Sequence, residues 1–502
     1  MTRTLLQNGT LIDGAGAAAA PGDLLIEDGR IARIGRFEAP ADCRLIDCRG
    51  LTVAPGFIDG HSHSDLQVLE ERREKSNQGV TAEVVGNCGF SPYPAGADRG
   101  PLQEFANGIF RGRDDWGWLG ARAYLDEAAR RSRFVNVLSL VGHGSLRIAH
   151  AGPVQGTLPA AKLEAMERSL SEALAAGAGG FSTGLMYAPG SSAPPDELLR
   201  LCRVVARHGK LYATHMRSYS WHLLEAIDEQ LELARRSGCR LQISHLQAAG
   251  RSNWNKLAPA LERIDKARAE GIDVAFDMYP YLAGSTVLTQ LLPQSALDGG
   301  TPALLARLED REQRKQILAA MISQMAQGWS DIFISAVGSA ANGNLVGKHL
   351  AQIAELRGRD PAEVVLDLLV EEKADVNMIS FNQNEENLRK ILTHPLCLVI
   401  SDGFYVKGRP HPRLFGTFPF LLGETCREKR WMSLPEAVHK ITGFPARRFG
   451  LKDRGLLKTG YAADITVFDA ARVSGPATYD SPETPPTGIR YVFRNGAAVL
   501  EA

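Results

Sequence analysis

No run of about 18 apolar residues occurs in the 502-residue chain, so the sequence offers no transmembrane helix. There is no excess of either charge. Lys+Arg and Asp+Glu number 57 each, the formal net charge is zero, and nothing points to nucleic acid or a membrane surface as partner. The opening Met1-Thr2-Arg3-Thr4-Leu5-Leu6-Gln7-Asn8 reaches Asp13 without a signal-peptide apolar core. Cysteines are few: seven, an odd number at irregular spacing, which is not a disulfide framework. Internal repeats are absent, and the one low-complexity tract is Ala17–Ala20. These absences predict a reduced, cytoplasmic protein. What is present is ordinary for a globular chain, with 44% hydrophobic and 23% charged residues, and the length allows a large core and two domains.

Both ends of the chain carry short strand patterns. Leu5–Ile12 has Asn8-Gly9 at its centre, read as a turn, and Asp23–Gly35 has Asp28-Gly29 between two apolar runs, a hairpin signal. Asp464–Asp469 and Ile489–Leu500 repeat this character at the other end. Two β-rich ends predict one small β-sandwich domain built from residues 1–53 and 456–502.

The middle, 54–455, alternates strand and helix patterns. Val53, Phe57 and Ile58 form a first apolar run. Seven more follow: Thr81–Cys88, Val135–His143, Gly180–Gly184, Leu211–His215, Leu241–His245, Val274–Tyr279 and Leu396–Asp402. In the stretch from Pro159 to Gly177, Leu163, Met166, Leu170 and Leu174 share one helical face. Eight strands in series with helices between them predict an α/β fold, a (β/α)₈ TIM-type barrel. Phe90–Gly120, rich in Gly, Pro and aromatics, reads as a long loop over the barrel mouth. Residues from about 284 to 345, with an apolar patch at Leu288, Leu291 and Leu292 and a helix near 303–327, read as an insertion or lid. Ser433 caps a helix that has Pro435 in its first turn and Glu436 as box partner.

The residues that end the strands carry the chemistry. Strand 1 runs into His61 and His63, which face one side because residues i and i+2 of an extended chain do so. Strand 2 ends in Cys88, strand 5 in His215, strand 6 in His245 and strand 8 in Asp402. In such a barrel the C-terminal ends of all strands meet at one mouth. Any one of these residues could be a packed core residue or a turn; six together make a metal-ligand set. Imidazole and thiolate suit Zn²⁺, whereas Mg²⁺ and Ca²⁺ want oxygen. Six donors exceed one tetrahedral site, which leaves two metals, or one tight ion with a weaker neighbour, and Cys88 as a thiolate could bridge them. Asp402 could also take and return a proton.

Here the chain resembles the N-acyl-D-amino-acid deacylases (D-aminoacylases) of the amidohydrolase superfamily, over nearly its whole length. The resemblance is carried by PGFIDGHSHSD at 55–65, VVGNCG at 84–89, FSTGLMYAPG at 181–190 and YATHMRS at 212–218. It continues in ISHLQAAG at 243–250, DMYPYLAGST at 277–286, SDG at 401–403 and HPRLFGTFP at 411–419. Many superfamily members bridge their metals with a carboxylated lysine on strand 4. Here that strand ends Ser182-Thr183-Gly184, and Cys88 resembles the deacylases' substitute. The resemblance implies a tight, catalytic zinc on Cys88, His215 and His245, with His61, His63 and Asp402 around a weaker site. It implies Tyr187 as oxyanion donor, and Arg413, Tyr281 and Ser285 as partners of a substrate α-carboxylate. Gln247 stands where the family has a lysine that helps bind that carboxylate, and Phe420 where it has an arginine. No Arg or Lys lies between Tyr281 and Leu292, so the side-chain pocket is expected to be neutral or apolar. The implied reaction is zinc-dependent hydrolysis of N-acyl-D-amino acids, a small-molecule substrate, to a carboxylate and a D-amino acid. A cyclic-amide hydrolase of the hydantoinase or dihydroorotase kind and a non-catalytic scaffold on the same fold are the alternatives. The oligomeric state cannot be read from the sequence.

Overall fold

At Gly56 the chain passes from one sheet to another. Val53, Phe57 and Ile58 read as a single strand, but the computed structural model, which describes residues 3–113 and 115–502, divides them. Thr52–Pro55 pairs with Arg3–Leu11 and Ile465–Phe468, whereas Phe57–Asp59 opens the barrel. The cause is local. Gly56 N donates to the carbonyl of Asp464 at 2.8 Å, and a Cβ at this position would lie 2.2 Å from Thr81 Oγ1. Only a residue without a side chain lets the two sheets meet there.

The terminal strands form one eight-stranded sheet that joins both ends of the chain. Leu6, Leu24, Ile26, Val53, Ile465, Val467 and Phe493 make its core. Asp28 and Gly29, at φ 48° and 81°, form the turn of a hairpin between Ala20–Glu27 and Arg30–Gly35. Asn8-Gly9 is not a turn. Arg3–Leu11 continues through it with a register shift between Leu6 and Gly9, and Asn8 takes φ 64°. The neighbouring strand Ala20–Glu27 runs alongside the whole length, so the extra residue is absorbed as a bulge rather than a reversal.

The barrel strands are β1 (Phe57–Asp59), β2 (Val80–Val85), β3 (Asn136–Gly142), β4 (Gly180–Gly184), β5 (Leu211–His215), β6 (Arg240–Ile243), β7 (Val274–Met278) and β8 (Cys397–Val399). They are parallel and lie in sequence order, the (β/α)₈ arrangement. Helix Ala160–Ala175 follows Pro159 and buries Met166, Leu170 and Leu174. The Ser433 hydroxyl accepts from Glu436 N at 3.3 Å, starting helix Leu434–Ile441. β8 and β1 share no ladder. Asp402 N donates to His61 O at 2.8 Å and His63 N to Gly403 O at 2.9 Å, so the barrel closes just beyond the strand ends.

Two additions cover the mouth. Between β7 and β8, Ala283–Val287, Ile332–Val337 and Val376–Phe381 form an antiparallel sheet. Leu304, Leu308, Met321, Leu350 and Leu366 pack in its own core. The single helix expected near 303–327 is two, Gly300–Glu309 and Arg311–Gln324, divided at Asp310, whose carboxylate caps the second by accepting from Gln313 N at 2.9 Å. The 90–120 segment is more than a loop. It contains helix Gly100–Phe105 and packs Phe90, Leu102, Ile109, Phe110 and Trp116 together. Among the described residues no helix is long and apolar enough to cross a membrane.

β4 ends against the loop that follows β2. A Cβ at Gly184 would lie 1.9 Å from the carbonyl oxygen of Cys88, a backbone atom with no room to withdraw. Gly184→Ala is expected to destabilise the protein by about 1–3 kcal/mol, the cost of overpacking. Gly343→Ala, where nothing lies within 4 Å, should stay within about 0.5 kcal/mol of the parent. Denaturant midpoints of the two variants check both values.

Candidate metal centre

Three residues at the barrel mouth hold backbone conformations that side chains rarely adopt: Cys88 at φ 52°, His245 at 34° and Asp402 at 49°. Each follows a barrel strand, and each reversal turns the side chain inward. Every one is fastened. Ser182, on β4, donates from its hydroxyl to Gly86 O at 2.5 Å and accepts from Gly89 N at 3.0 Å, bracketing Cys88. Asp277 accepts from His245 N at 2.8 Å and from Gln242 Nε2 at 2.8 Å. Asp59 accepts from Ser401 N at 3.0 Å, from the Ser401 hydroxyl at 2.5 Å and from Lys75 Nζ at 2.6 Å, just before Asp402.

The side chains then converge. His61, Cys88, His245 and Asp402 each bring one ligand atom within 4.8 Å of the other three, and all four are buried. Cys88 Sγ lies 3.3 Å from His61 Nε2 and 3.6 Å from His245 Nε2. Asp402 Oδ1 lies 3.3 Å from Nε2 of both His61 and His63. The His215 ring sits 4.6 Å from that of His245, and neither of its nitrogens has a hydrogen-bond partner. The six residues named from the strand ends are therefore in one place.

Burial would raise the Cys88 thiol, but His61, His215 and His245 outweigh it and hold the thiol well below its ordinary value. Burial would likewise raise Asp402, and Arg413, His61 and His63 reverse this, keeping the carboxylate ionised. For His215 burial dominates and lowers the imidazole, which favours the neutral form that binds metals. A thiol held low, an ionised carboxylate and imidazoles in one buried cluster form a borderline-soft ligand set.

A cavity of about 400 Å³ opens on this cluster, lined by His63, Cys88, Tyr187, His215, His245, Gln247, Ser285 and Asp402 among others. Tyr187 donates to or accepts from Thr286 Oγ1 at 3.0 Å, and Ser285 Oγ donates to Met378 O at 3.0 Å. Gln247 Oε1 is buried without a hydrogen-bond partner. Tyr281 is not on this cavity. Its ring stacks on Phe420 at 4.8 Å and meets His411 at 5.2 Å, and Tyr279, two residues earlier, faces the cavity instead. The substitution at Phe420 thus packs against Tyr281. Arg413 is 1% exposed. Its Nη1 lies 3.0 Å from Asp402 Oδ2, its guanidinium 4.6 Å from the Tyr279 ring, and Nη2 donates to Ser285 O at 3.3 Å. Its first partner in the structure is Asp402.

Sequence reasoning passed over Asp277, which touches two of the cluster: besides His245 N, it lies 3.5 Å from His61 Nδ1. Its signal was a carboxylate inside the apolar run Val274–Met278. The buried trio of His143, Glu197 and Arg147 also has a place: His143 Nε2 meets Glu197 Oε1 at 2.8 Å, and Arg147 donates to Pro189 O at 2.8 Å, bracing the loop that carries Tyr187.

A sequence model of the amidohydrolase family matches residues 44–500. The chain is 38% identical over 500 residues to N-acyl-D-glutamate deacylase of Alcaligenes xylosoxydans xylosoxydans, covering 99% of this chain and 93% of that protein. It is 35% identical to D-aminoacylase of the same organism, covering 99% and 94%. The fold matches the crystal structure of N-acyl-D-glutamate deacylase from Bordetella bronchiseptica, complexed with zinc and a phosphonate mimic of the tetrahedral intermediate. That match has TM-score 0.85 and 36% identity, and covers 100% and 97% of the two chains.

Partners that orient metal ligands are worth about 10–100-fold in metal affinity. Asp277→Ala should weaken zinc binding by about that factor while the protein still folds. Competition against a chromophoric chelator measures it, and unchanged affinity removes Asp277 from the ligand-orienting role.

Proposed function

Because the chain belongs to the amidohydrolase family, we propose that it is a zinc-dependent hydrolase of N-acyl-D-amino acids with neutral or apolar side chains. The observation that carries the reading is the buried cluster of thiol, imidazoles and carboxylate at the floor of the cavity. The donor set suits zinc, and ring nitrogens of His61, His63, His215 and His245 are buried without hydrogen-bond partners. Cys88, His215 and His245 would hold the tight ion, with His61, His63 and Asp402 around a second, weaker position. When bound, zinc supplies Lewis acidity toward the scissile carbonyl and the attacking water.

The protein's own groups do the rest. Asp402, held ionised by its cationic neighbours, accepts the proton of the attacking water and returns it to the leaving nitrogen, since an amide anion is a very poor leaving group. Burial raises the Tyr187 hydroxyl, so it keeps its proton and can donate to the oxyanion. Gln247, Tyr279 and Ser285 offer neutral hydrogen-bonding groups to the amine half of the substrate. Met186, Leu291, Leu292, Met325 and Met378 give the cavity apolar walls. Arg217 also lines it, but is occupied by Glu229 at 2.9 Å and by Ala193 O at 2.6 Å. This supports a neutral side chain even though a relative is named for glutamate. The insertion between β7 and β8 serves as the lid.

The deciding experiment is a substrate panel on zinc-loaded protein. N-acetyl-D-leucine should be hydrolysed, N-acetyl-D-glutamate poorly, N-acetyl-L-leucine and hydantoin negligibly. Preferential opening of hydantoin would turn the reading to cyclic amides. Asp402→Asn should lower kcat by about 10²–10⁴-fold, and a loss below about 10-fold with zinc retained removes it from proton transfer.

Among the described residues, Arg413 is the one cation in contact with Ser285, Tyr279 and Asp402 together, so it is assigned the α-carboxylate in addition to Asp402. A charge-assisted contact is worth about 1.5–3 kcal/mol, or roughly 10- to 150-fold. Arg413→Ala should cost at least that much in kcat/KM on free acids and markedly less on the matching methyl esters. Equal losses on both would make Arg413 a partner of Asp402 alone.

A further inference from the structure

A second cavity, of about 210 Å³, lies against the one that holds the metal centre. We propose that it binds the acyl chain of the substrate, and that the preferred substrates carry a medium-length hydrocarbon acyl group rather than acetyl. This builds on the hydrolase reading above and names the chemistry of its acyl half.

The two cavities share Ile109, Tyr187 and Gln290 as lining, so they adjoin at these side chains. The apolar walls of the second cavity include Phe90, Phe105, Ile148, Val287 and Leu304, with Asn107, Thr289 and Thr301 among the polar lining residues. Among the described residues the one charged lining residue, Glu104, is exposed and accepts from Thr301 N at 3.1 Å. Two segments that a minimal barrel lacks supply most of the cavity's lining. The 90–120 segment supplies the stacked pair Phe90 and Phe105, with centroids 4.6 Å apart, and the insertion supplies Val287 and Leu304. Gly108, at φ 86°, seats them together: a Cβ there would lie 2.6 Å from Val287 Cγ1.

Direction follows from how polarity is divided around the centre. Gln247, Tyr279, Ser285, Ser380 and Asn382 line the metal cavity on the side of β6, β7 and the insertion sheet. Oε1 of Gln247, Oγ of Ser380 and Oδ1 of Asn382 are buried without hydrogen-bond partners. That side offers hydrogen bonds, and suits the amine half with its carboxylate. The apolar cavity lies on the other side, on residues that follow β2, β3 and β4: Phe90, Ile148 and Tyr187. The trigonal carbonyl carbon of an amide carries its nitrogen and its acyl carbon on separate, diverging bonds. With the nitrogen toward the polar groups, the acyl carbon points past Tyr187 into the apolar cavity. The reaction is unchanged: water adds, the C–N bond breaks, and nitrogen takes the proton.

The test is the dependence of kcat/KM on acyl length, for N-acetyl-, N-butyryl-, N-hexanoyl- and N-octanoyl-D-leucine. Each buried methylene is worth about 0.8 kcal/mol, or about 4-fold, so kcat/KM should rise by up to that factor per carbon until the cavity is full. Leu304→Trp, which fills the cavity, should collapse the octanoyl-to-acetyl ratio. Thr301→Trp, at a less buried wall, provides the same readout if Leu304→Trp does not fold. A series that is flat or falling, or a rise that both variants leave intact, overturns the proposal. If no N-acyl-D-amino acid is hydrolysed, the hydrolase reading fails instead. The cavity is then judged by binding of octanoate against acetate to the zinc-loaded protein. Tighter octanoate binding that Leu304→Trp abolishes upholds an acyl-chain site, and equal binding sinks it.

Discussion

The structure depends on how its barrel is closed. β1 and β8 are too short to pair along their length, and the gap is bridged by Asp402 N to His61 O and by His63 N to Gly403 O. The residues that close the barrel are thus neighbours of, or identical with, the metal-ligand candidates. Beneath them Asp59 binds Ser401 twice and Lys75 once, and Lys75 Nζ also lies 3.6 Å from Glu83. A buried lysine between two carboxylates is costly to desolvate and strongly destabilising to break. Its place explains why it is kept: it ties β1, β2 and the start of the Asp402 loop into one unit, so the geometry of the centre and the integrity of the barrel stand or fall together.

Three of the ligand-bearing residues, Cys88, His245 and Asp402, sit in left-handed backbone, at about 1–3 kcal/mol each. Such conformations persist only where the surroundings over-determine them. Ser182 brackets Cys88, Asp277 holds His245 N, and the Ser401 hydroxyl accepts from Gly403 N at 3.0 Å beside Asp402. The fastening groups are uncharged hydroxyls or a shared carboxylate, all buried. Asp277 serves backbone and centre together: Oδ1 accepts from His245 N and lies 3.5 Å from His61 Nδ1, and Oδ2 accepts from Gln242 Nε2.

Much of this was legible in the chain. Periodicity located all eight barrel strands, because parallel strands buried on both faces read as plain apolar runs. The six strand-end residues stood out because polar atoms at the end of an apolar run need a reason. What pattern could not carry was spatial. The break at Gly56 is invisible to hydropathy, since apolar residues continue on both sides. Asn8-Gly9 has turn chemistry and becomes a bulge only because a partner strand runs past it. Tyr279 and Tyr281 have equal claims on paper, and the direction of the chain after β7 puts the first on the cavity and the second against Phe420. The strand Val376–Phe381 resembles any short apolar run, and its pairing with Ala283–Val287 spans a sequence distance no local signal covers.

The empty end of β4 and the cysteine after β2 are one structural choice. Where many superfamily members place a lysine on this strand, the chain has Ser182-Thr183-Gly184, and each residue is engaged. Ser182 grips Gly86 and Gly89 on either side of Cys88, and Thr183 donates to Thr214 Oγ1 at 2.8 Å on β5. Gly184 lets the Cys88 carbonyl approach to where its own Cβ would be. A long side chain at the end of this strand and a cysteine turned inward from the next loop would contend for the same space. With the strand end bare, Cys88 Sγ reaches 3.3 Å from His61 Nε2 and 3.6 Å from His245 Nε2. A thiolate there needs no covalent modification to carry negative charge, and the imidazoles around it hold the thiol well below its ordinary value. The cysteine and the missing lysine follow from the same packing.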